Sequence, residues 1–175
     1  MSYNASVMEK IKTLNEIVKI SAELKSSGKI VVTTNGSFDL LHAAHVRLFE
    51  RAKELGDTLI VLLNSDSSVR GNKEKEGRGS IRPYVNEKDR AYVVAGLQSV
   101  DYVTIFDEEK PLRYLEIIKP SIHVKGGSGV PERYREEREF IESLGGKYFV
   151  MPLEEGYSST NIEKTILDRN KGVNS

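Results

Sequence analysis

Two histidines three residues apart, His42 and His45, follow an aspartate, Asp39, and a Gly36-Ser37-Phe38 turn. The run before the turn, Val31-Val32-Thr33-Thr34-Asn35, is apolar and β-branched and reads as a buried strand. Strand, glycine turn and helix N-terminus together suit phosphate: free backbone N–H groups and the positive end of a helix dipole face the ligand. Two imidazoles at i and i+3 on the first helical turn share a face. There they could stabilise charge that builds on a phosphorus centre in a transition state. Two polar residues at a solvated helix start would look the same. The Thr34-Asn35-Gly36-Ser37-Phe38-Asp39 run favours phosphate chemistry. Zinc is disfavoured, because only His123 remains as a third imidazole and the chain has no cysteine. Asp39 has two readings of equal weight, an N-cap for the helix or a ligand to a phosphate-bound Mg²⁺.

Other segments hold residues of the same chemical type. Residues 70–83 are polar and glycine-rich and read as a long loop, with Arg70, Lys73 and Arg78 as cations for a basic lid over a polyphosphate, or simply a solvated loop. Arg90, on the helix that follows, is a further candidate. Lys125-Gly126-Gly127 pairs a charge with two residues that let a backbone approach a ligand closely. Thr160 and Glu163 have capping-box spacing, and Tyr157, Ser158, Ser159 and Thr160 form a second hydroxyl-rich helix entrance. Arg133, Arg135 and Arg138 alternate with glutamates between 132 and 139, the pattern of a solvated, salt-bridged helix face.

The elements that must position these residues alternate. A helix over 6–27 and a strand over 30–34 come first. A helix over 42–55, a strand over 58–63, a helix over 86–96 and a strand over 101–106 follow. Next come a helix from 111 to about 118, a strand over 121–124, a helix over 132–144, a strand over 147–151 and a last helix from near Thr160. That rhythm predicts an α/β, Rossmann-like three-layer sandwich on a roughly five-stranded parallel sheet. In such sheets ligands bind beyond the carboxyl ends of the strands. Segments 34–45, 64–73, 125–127 and 153–160 should therefore gather on one edge. One domain over 1–175 is expected: an N-terminal helix to 27, a catalytic core over 28–168 and a tail over 169–175. With 175 residues, 38% apolar and 30% charged, the chain is large enough for a real core. A formal net charge of +0 supplies no field for nucleic acid or an anionic membrane, so an anion site has to be built locally. No run approaches a membrane span and the start lacks a signal pattern, so the expectation is cytoplasmic.

Gly36-Ser37-Phe38-Asp39-Leu40-Leu41-His42-Ala43-Ala44-His45, with Ser158-Ser159-Thr160-Asn161-Ile162 near the end, resembles the paired motifs of the cytidylyltransferase-like nucleotidyltransferases. The likeness covers about residues 28–168. Within that superfamily the chain is most similar to the heptose-1-phosphate adenylyltransferases of ADP-heptose synthesis. The stretches that carry this are Thr34-Asn35-Gly36, Leu63-Asn64-Ser65-Asp66, Arg90 to Leu97, Val100 to Val103, Val124 to Gly127 and Glu155 to Ile162. Leu153 stands where the glycerol-3-phosphate cytidylyltransferases carry an arginine. Three departures are Ala44 for the glycine between the histidines, Ser128 for an aspartate after Lys-Gly-Gly, and Gly77-Arg78-Gly79-Ser80-Ile81 in the loop.

The resemblance implies transfer of a nucleotidyl group from an NTP with Mg²⁺, the expected substrates being ATP and a phosphorylated sugar, with release of pyrophosphate. CTP with glycerol 3-phosphate or another polyol phosphate is the alternative, and a non-catalytic nucleotide-binding relative is another. It implies roles for His42 and His45 on the phosphate chain, for Thr34 to Phe38 as the α-phosphate cradle, and for Asp39 with Mg²⁺. Lys73 and Arg90 would neutralise the polyphosphate or acceptor phosphate. Lys125, Gly126, Gly127, Tyr157, Ser158, Ser159 and Thr160 would line the nucleotide. Asn64 and Asp66 would contact the acceptor or shape the loop. A homodimer is also expected.

Overall fold

A computed structural model describes residues 5–75, 82–127, 131–152 and 159–171. The elements run α1 (Ala5–Met8), α2 (Leu14–Ser26), β1 (Val31–Gly36), α3 (Ala43–Lys53), β2 (Thr58–Asn64), α4 (Asp66–Lys75) and α5 (Glu87–Ala95), followed by β3 (Tyr102–Phe106), α6 (Leu112–Ile118), β4 (Ile122–Gly127), α7 (Arg135–Ser143), β5 (Lys147–Pro152) and α8 (Ser159–Lys171). A 3₁₀ turn, Pro131–Tyr134, leads into α7.

All five strands are parallel, in the order β3-β2-β1-β4-β5. Strand alternation sorts the core into two faces. Val32, Leu59, Val61, Leu63, Val103 and Val124 pack with α3 and α5, through Phe49, Ala52, Ala91 and Val94. Val31, Ile60, Leu62 and Phe106 face the other way, against Ile17 of α2, Leu115 and Ile118 of α6, and Ile141 of α7. The predicted three-layer α/β sandwich on five parallel strands is therefore present. Because β2 lies on one side of β1 and β4 on the other, the chain reverses its winding between β1 and β4. A crevice opens there at the carboxyl ends.

Four local expectations are corrected. The predicted N-terminal helix is broken: α1 ends at Met8, and Ile11 makes a parallel bridge to Val103 on the outer edge of β3. Lys12 N donates to Val103 O at 2.8 Å and Val103 N to Lys10 O at 2.9 Å, so the segment covers a sheet edge that would otherwise be open. A capping box then starts α2: Thr13 Oγ1 accepts from Glu16 N, and Glu16 Oε2 accepts from Thr13 N at 2.8 Å. The apolar period alone could not reveal this stop.

Residues 70–75 are helix, not loop. The start of α4 is fixed by Ser65 Oγ, which accepts from Ser68 N at 3.2 Å, and by Glu87, which accepts from Asp66 N at 2.8 Å. Val69 is buried beneath it. These tertiary anchors outweigh the roughly 1 kcal/mol cost of Gly71 in a helix. Arg70 and Lys73 thus sit on α4, while Arg78 lies outside the described residues.

Lys125-Gly126-Gly127 ends β4 rather than following it, with Gly127 in register with Pro152 of β5. The Tyr134 side chain lies directly over Gly127: a Cβ there would fall 2.0 Å from the Tyr134 hydroxyl oxygen. Lastly, α8 begins at Ser159, and Glu163 turns its carboxylate away from its own helix start to Arg82 and Tyr84. The capping-box expectation is replaced by a tertiary ion pair.

Gly127→Ala should destabilise the fold by about 1–3 kcal/mol through this overlap. Chemical denaturation of Gly127→Ala and of Gly127→Ala/Tyr134→Ala checks it: the double variant should recover part of the loss caused by the alanine.

Candidate nucleotide site

The turn after β1 carries the local strain. Phe38 has φ +45°, unusual for a residue with a bulky side chain. Its ring holds it there: it is buried against Phe49, at 4.8 Å between centroids, and meets the His45 ring edge-on at 5.2 Å. The same ring covers Gly36, where a Cβ would lie 2.9 Å from Phe38 Cζ. Gly36 is thus demanded by packing within the turn itself.

His42 is the N-cap of α3 in an extended conformation, with no side-chain capping bond. This corrects the reading of Asp39 as the cap. The His42 and His45 rings stack at 3.8 Å with 20° between planes. Burial pushes the His42 imidazole below its ordinary value. Burial and then the nearby His42 push His45 down to about 4. Two rings this close do not share positive charge readily. At neutral pH the pair is uncharged, able to donate or accept hydrogen bonds and ready to gain a proton beside an anion. Thr34 Oγ1 and His45 Nδ1 are buried polar atoms with no hydrogen-bond partner among the described residues. Buried polar atoms are seldom left so, and both lie in the segment singled out for phosphate.

Asp39 is buried and staples a second segment onto the turn. Its Oδ1 accepts from Tyr84 N at 2.8 Å and Val85 N at 3.0 Å, and Oδ2 is 3.9 Å from Arg82 Nη1. Arg82 in turn donates to Glu163 Oε2 at 2.5 Å, and Tyr84 Oη donates to Glu163 Oε1 at 2.6 Å. Ser159 Oγ donates to Leu40 O at 3.3 Å. The beginning of α8 therefore rests against the turn that precedes α3.

Arg90 is only 1% exposed and lies under the turn rather than over it. It donates to Ser37 O through Nη1, to Val85 O at 2.8 Å and to Asp66 Oδ1 at 2.7 Å. Asn64 donates to Ser68 Oγ at 2.9 Å. Asn64 and Asp66 therefore serve loop structure, one of the two roles expected of them. Lys73 sits in the last turn of α4 and its side chain is outside the described residues, as are Tyr157 and Ser158. Thr160 is an exposed residue in the first turn of α8.

At the β1/β4 crevice Lys125 Nζ donates to Asn35 Oδ1 at 2.7 Å and to Glu137 Oε1 at 3.3 Å. Glu137, expected on a solvated helix face, is only 12% exposed. That face is only partly solvated, because α7 packs on the sheet through Ile141, one turn on. His123 approaches Glu137 at 4.0 Å without forming an ion pair. Complete burial and the Lys125 charge keep its imidazole neutral, with a pKa down to about 3. Beside the crevice an open groove is lined by Ala44, Arg47, Leu48, Gly126, Met151 and Pro152. Ala44 forms part of its floor, where the family motif has glycine.

The structure thus unites Thr34 to Phe38, His42, His45, Lys125, Gly126 and Ser159 at one sheet edge. Arg82 and Tyr84 carried no local sequence signal, while Glu163 read locally as a helix cap and Glu137 as part of a solvated face. Each owes its position to a partner remote in the chain. Among the described residues no three His, Asp or Glu side chains converge as metal ligands. That donor set would fit a Mg²⁺ arriving on a polyphosphate. Among the same residues, no helix is long and apolar enough to cross a membrane.

A family model described as cytidylyltransferase-like matches residues 33–165. The chain is 44% identical over 158 residues to the bifunctional protein HldE of Geobacter metallireducens, covering 90% of this chain and 31% of that one. It is 45% identical over 157 residues to HldE of Geotalea uraniireducens, again covering 90% and 31%. The chain therefore spans about a third of the length of these relatives. Among solved structures, a lipopolysaccharide core biosynthesis protein from Thermoplasma volcanium aligns with a TM-score of 0.59 and 28% identity, over 75% of this chain and 100% of that one. A pantoate-β-alanine ligase from Francisella tularensis, 16% identical with a TM-score of 0.59 over 87% of this chain and 75% of that one, shares the fold.

The neutral histidines make stability depend on pH. His45 and His123 have folded values of about 4 and about 3, below the 6.5 of an unfolded histidine. The unfolded chain therefore binds more protons as pH falls from about 6.5 through about 4, and stability is lost in that window. By pH ~4 the two groups together should contribute a loss on the order of 6 kcal/mol. Denaturant titrations between neutral pH and pH ~4 check this, and His45→Gln should flatten part of the slope.

Proposed function

The chain belongs to the cytidylyltransferase-like family of nucleotidyltransferases, and from that premise we propose that it transfers AMP from ATP to a sugar 1-phosphate of the heptose class. The observation that carries the reading is the His42–His45 pair. Two stacked, neutral imidazoles sit at the entrance of α3, at the β1/β4 crevice, with His45 Nδ1 buried and lacking a hydrogen-bond partner among the described residues. The similarity to HldE proteins and to a lipopolysaccharide core biosynthesis protein supports a sugar-phosphate acceptor.

In this reading ATP enters as its Mg²⁺ complex, with the metal held by phosphate oxygens. An oxygen of the acceptor phosphate attacks the α-phosphorus. A new P–O bond forms, the bond to the β-phosphate oxygen breaks, and its electron pair leaves with pyrophosphate. The nucleophile is already an anion, so no base is required. Alignment and charge stabilisation supply the acceleration. The backbone from Gly36 to Phe38 and the entrance of α3 receive the α-phosphate. His42 and His45 donate to oxygens that gain charge, and His45 can take up a proton beside the phosphates. Arg90 acts from below by fixing Ser37, and Asp39 by fixing the segment at Tyr84 and Val85. Lys73 is the candidate cation for the polyphosphate. Lys125, Gly126 and Ser159 border the nucleotide, with the base directed to the groove over Ala44. A homodimer accords with the family resemblance.

The test is pyrophosphate release on mixing the protein with Mg²⁺, a nucleotide and an acceptor. ATP with heptose 1-phosphate should turn over faster than CTP with glycerol 3-phosphate. His45→Ala should lower kcat by about 10²-fold or more, the usual effect of losing a transition-state donor. Unchanged turnover in the purified variant would remove His45 from the chemistry. Faster turnover on CTP and glycerol 3-phosphate would move the chain to the cytidylyl branch.

A further inference from the structure

A line of buried polar groups runs under the crevice from α7 to β1, and phosphoryl chemistry gives it no task. It starts at Glu137, whose Oε2 accepts from Tyr148 Oη at 3.2 Å and whose Oε1 accepts from Lys125 Nζ at 3.3 Å. Lys125 also donates to Asn35 Oδ1 at 2.7 Å. His123 reaches the same oxygen, with Nε2 at 3.3 Å, while its Nδ1 is 2.7 Å from Thr33 Oγ1. The register places Thr33 directly beside His123 on adjacent strands.

The donors and acceptors in this line can be assigned one after another. An ammonium has only protons to give, so the Asn35 atom facing it is the oxygen. That oxygen can only accept, so neutral His123 carries its proton on Nε2. Its Nδ1 then accepts from the Thr33 hydroxyl. One tautomer and one amide orientation satisfy the whole line. Both donors converge on Asn35 Oδ1, and the Asn35 NH₂ forms no hydrogen bond among the described residues. Flipping the amide would set its NH₂ against an ammonium and an imidazole N–H, and those two donors would lose the acceptor they share. Asn35 is the residue before Gly36, at the carboxyl end of β1.

We propose that Glu137 and His123 are positioning residues of the nucleotide site: Glu137 anchors the Lys125 ammonium, Lys125 and His123 lock the Asn35 amide, and the amide NH₂ is presented to the bound nucleotide. Neither Glu137 nor His123 touches the nucleotide. This rests on the nucleotidyl-transfer reading given above. The benefit is preorganisation: a donor already fixed by its neighbours loses little freedom when ligand arrives. A donor that contacts ground state and transition state alike acts on binding, so its loss appears in KM rather than kcat.

Glu137→Ala and Glu137→Gln in the full chain, assayed for pyrophosphate release over a range of ATP concentrations, test this. Alanine should raise KM for ATP about tenfold and leave kcat within about twofold, the scale of one charge-assisted hydrogen bond. Glutamine still offers Lys125 an oxygen and should stay within about threefold of wild type. In parallel, ¹⁵N NMR of the ligand-free protein should show His123 as the Nε2–H tautomer. An unchanged KM in Glu137→Ala would overturn the proposal. So would a fall in kcat with KM unchanged, which signals only a smaller folded fraction. An Nδ1–H or doubly protonated His123 would overturn it too. Failure of the wild-type protein to use either ATP or CTP would instead refute the nucleotidyl reading, and the tautomer would still decide whether the amide lock exists.

Discussion

The guanidinium of Arg90 is the point on which the carboxyl edge of the sheet depends. It lies on α5, yet its three hydrogen bonds reach the turn after β1, the first residue of α4 and the segment before its own helix. Two of its acceptors are main-chain carbonyls that cannot be satisfied locally, because the chain turns there. The third, Asp66, balances its charge. A buried arginine with every bond oriented costs much to desolvate and much more to leave unpaired. The site is therefore built as one piece. The β1 turn cannot shift without disturbing α4, and neither can shift without disturbing α5. The strained Phe38 persists in this frame because its ring packs on one side and Ser37 is tied down on the other.

The same frame bears on how a chain of zero net charge would hold the polyphosphate of the proposed reaction. Three cations at the crevice are already committed: Arg90 to Asp66, Arg82 to Glu163, and Lys125 to Asn35 and Glu137. What faces the crevice is neutral but polar, namely imidazoles, the beginnings of two helices and free backbone N–H groups. Such a surface does not attract anions from a distance. It rewards one placed correctly, since N–H groups and helix dipoles act at short range.

Much of this was legible in the sequence, and the remainder was hidden for definable reasons. The strands were readable because parallel buried strands are continuous apolar runs, as in Leu59 to Leu63. The turn after β1 was readable because Gly36, Phe38, His42 and His45 lie within one local element. Asp39 was recognised as important, but not its partners: the amides of Tyr84 and Val85 are remote in sequence, and nothing local points to them. Glu137 looked like any charge in an alternating run, since only its helical face relative to Ile141 distinguishes it. Helix α4 was not expected, residues 70–83 being read as loop, for a similar reason. Its helicity comes from Ser65, Glu87 and a buried Val69 rather than from its composition. Local chemistry was visible in the residues, and long-range pairing was not.

The central claim is that the turn after β1, with His42 and His45, receives the α-phosphate. The most direct measurement is a crystal structure with Mg²⁺ and a non-hydrolysable ATP analogue. The account predicts the α-phosphate over Gly36 to Phe38 at the entrance of α3, hydrogen-bonded to the histidine pair, with the base in the groove over Ala44. A nucleotide whose phosphates lie away from His42 and His45 would contradict it.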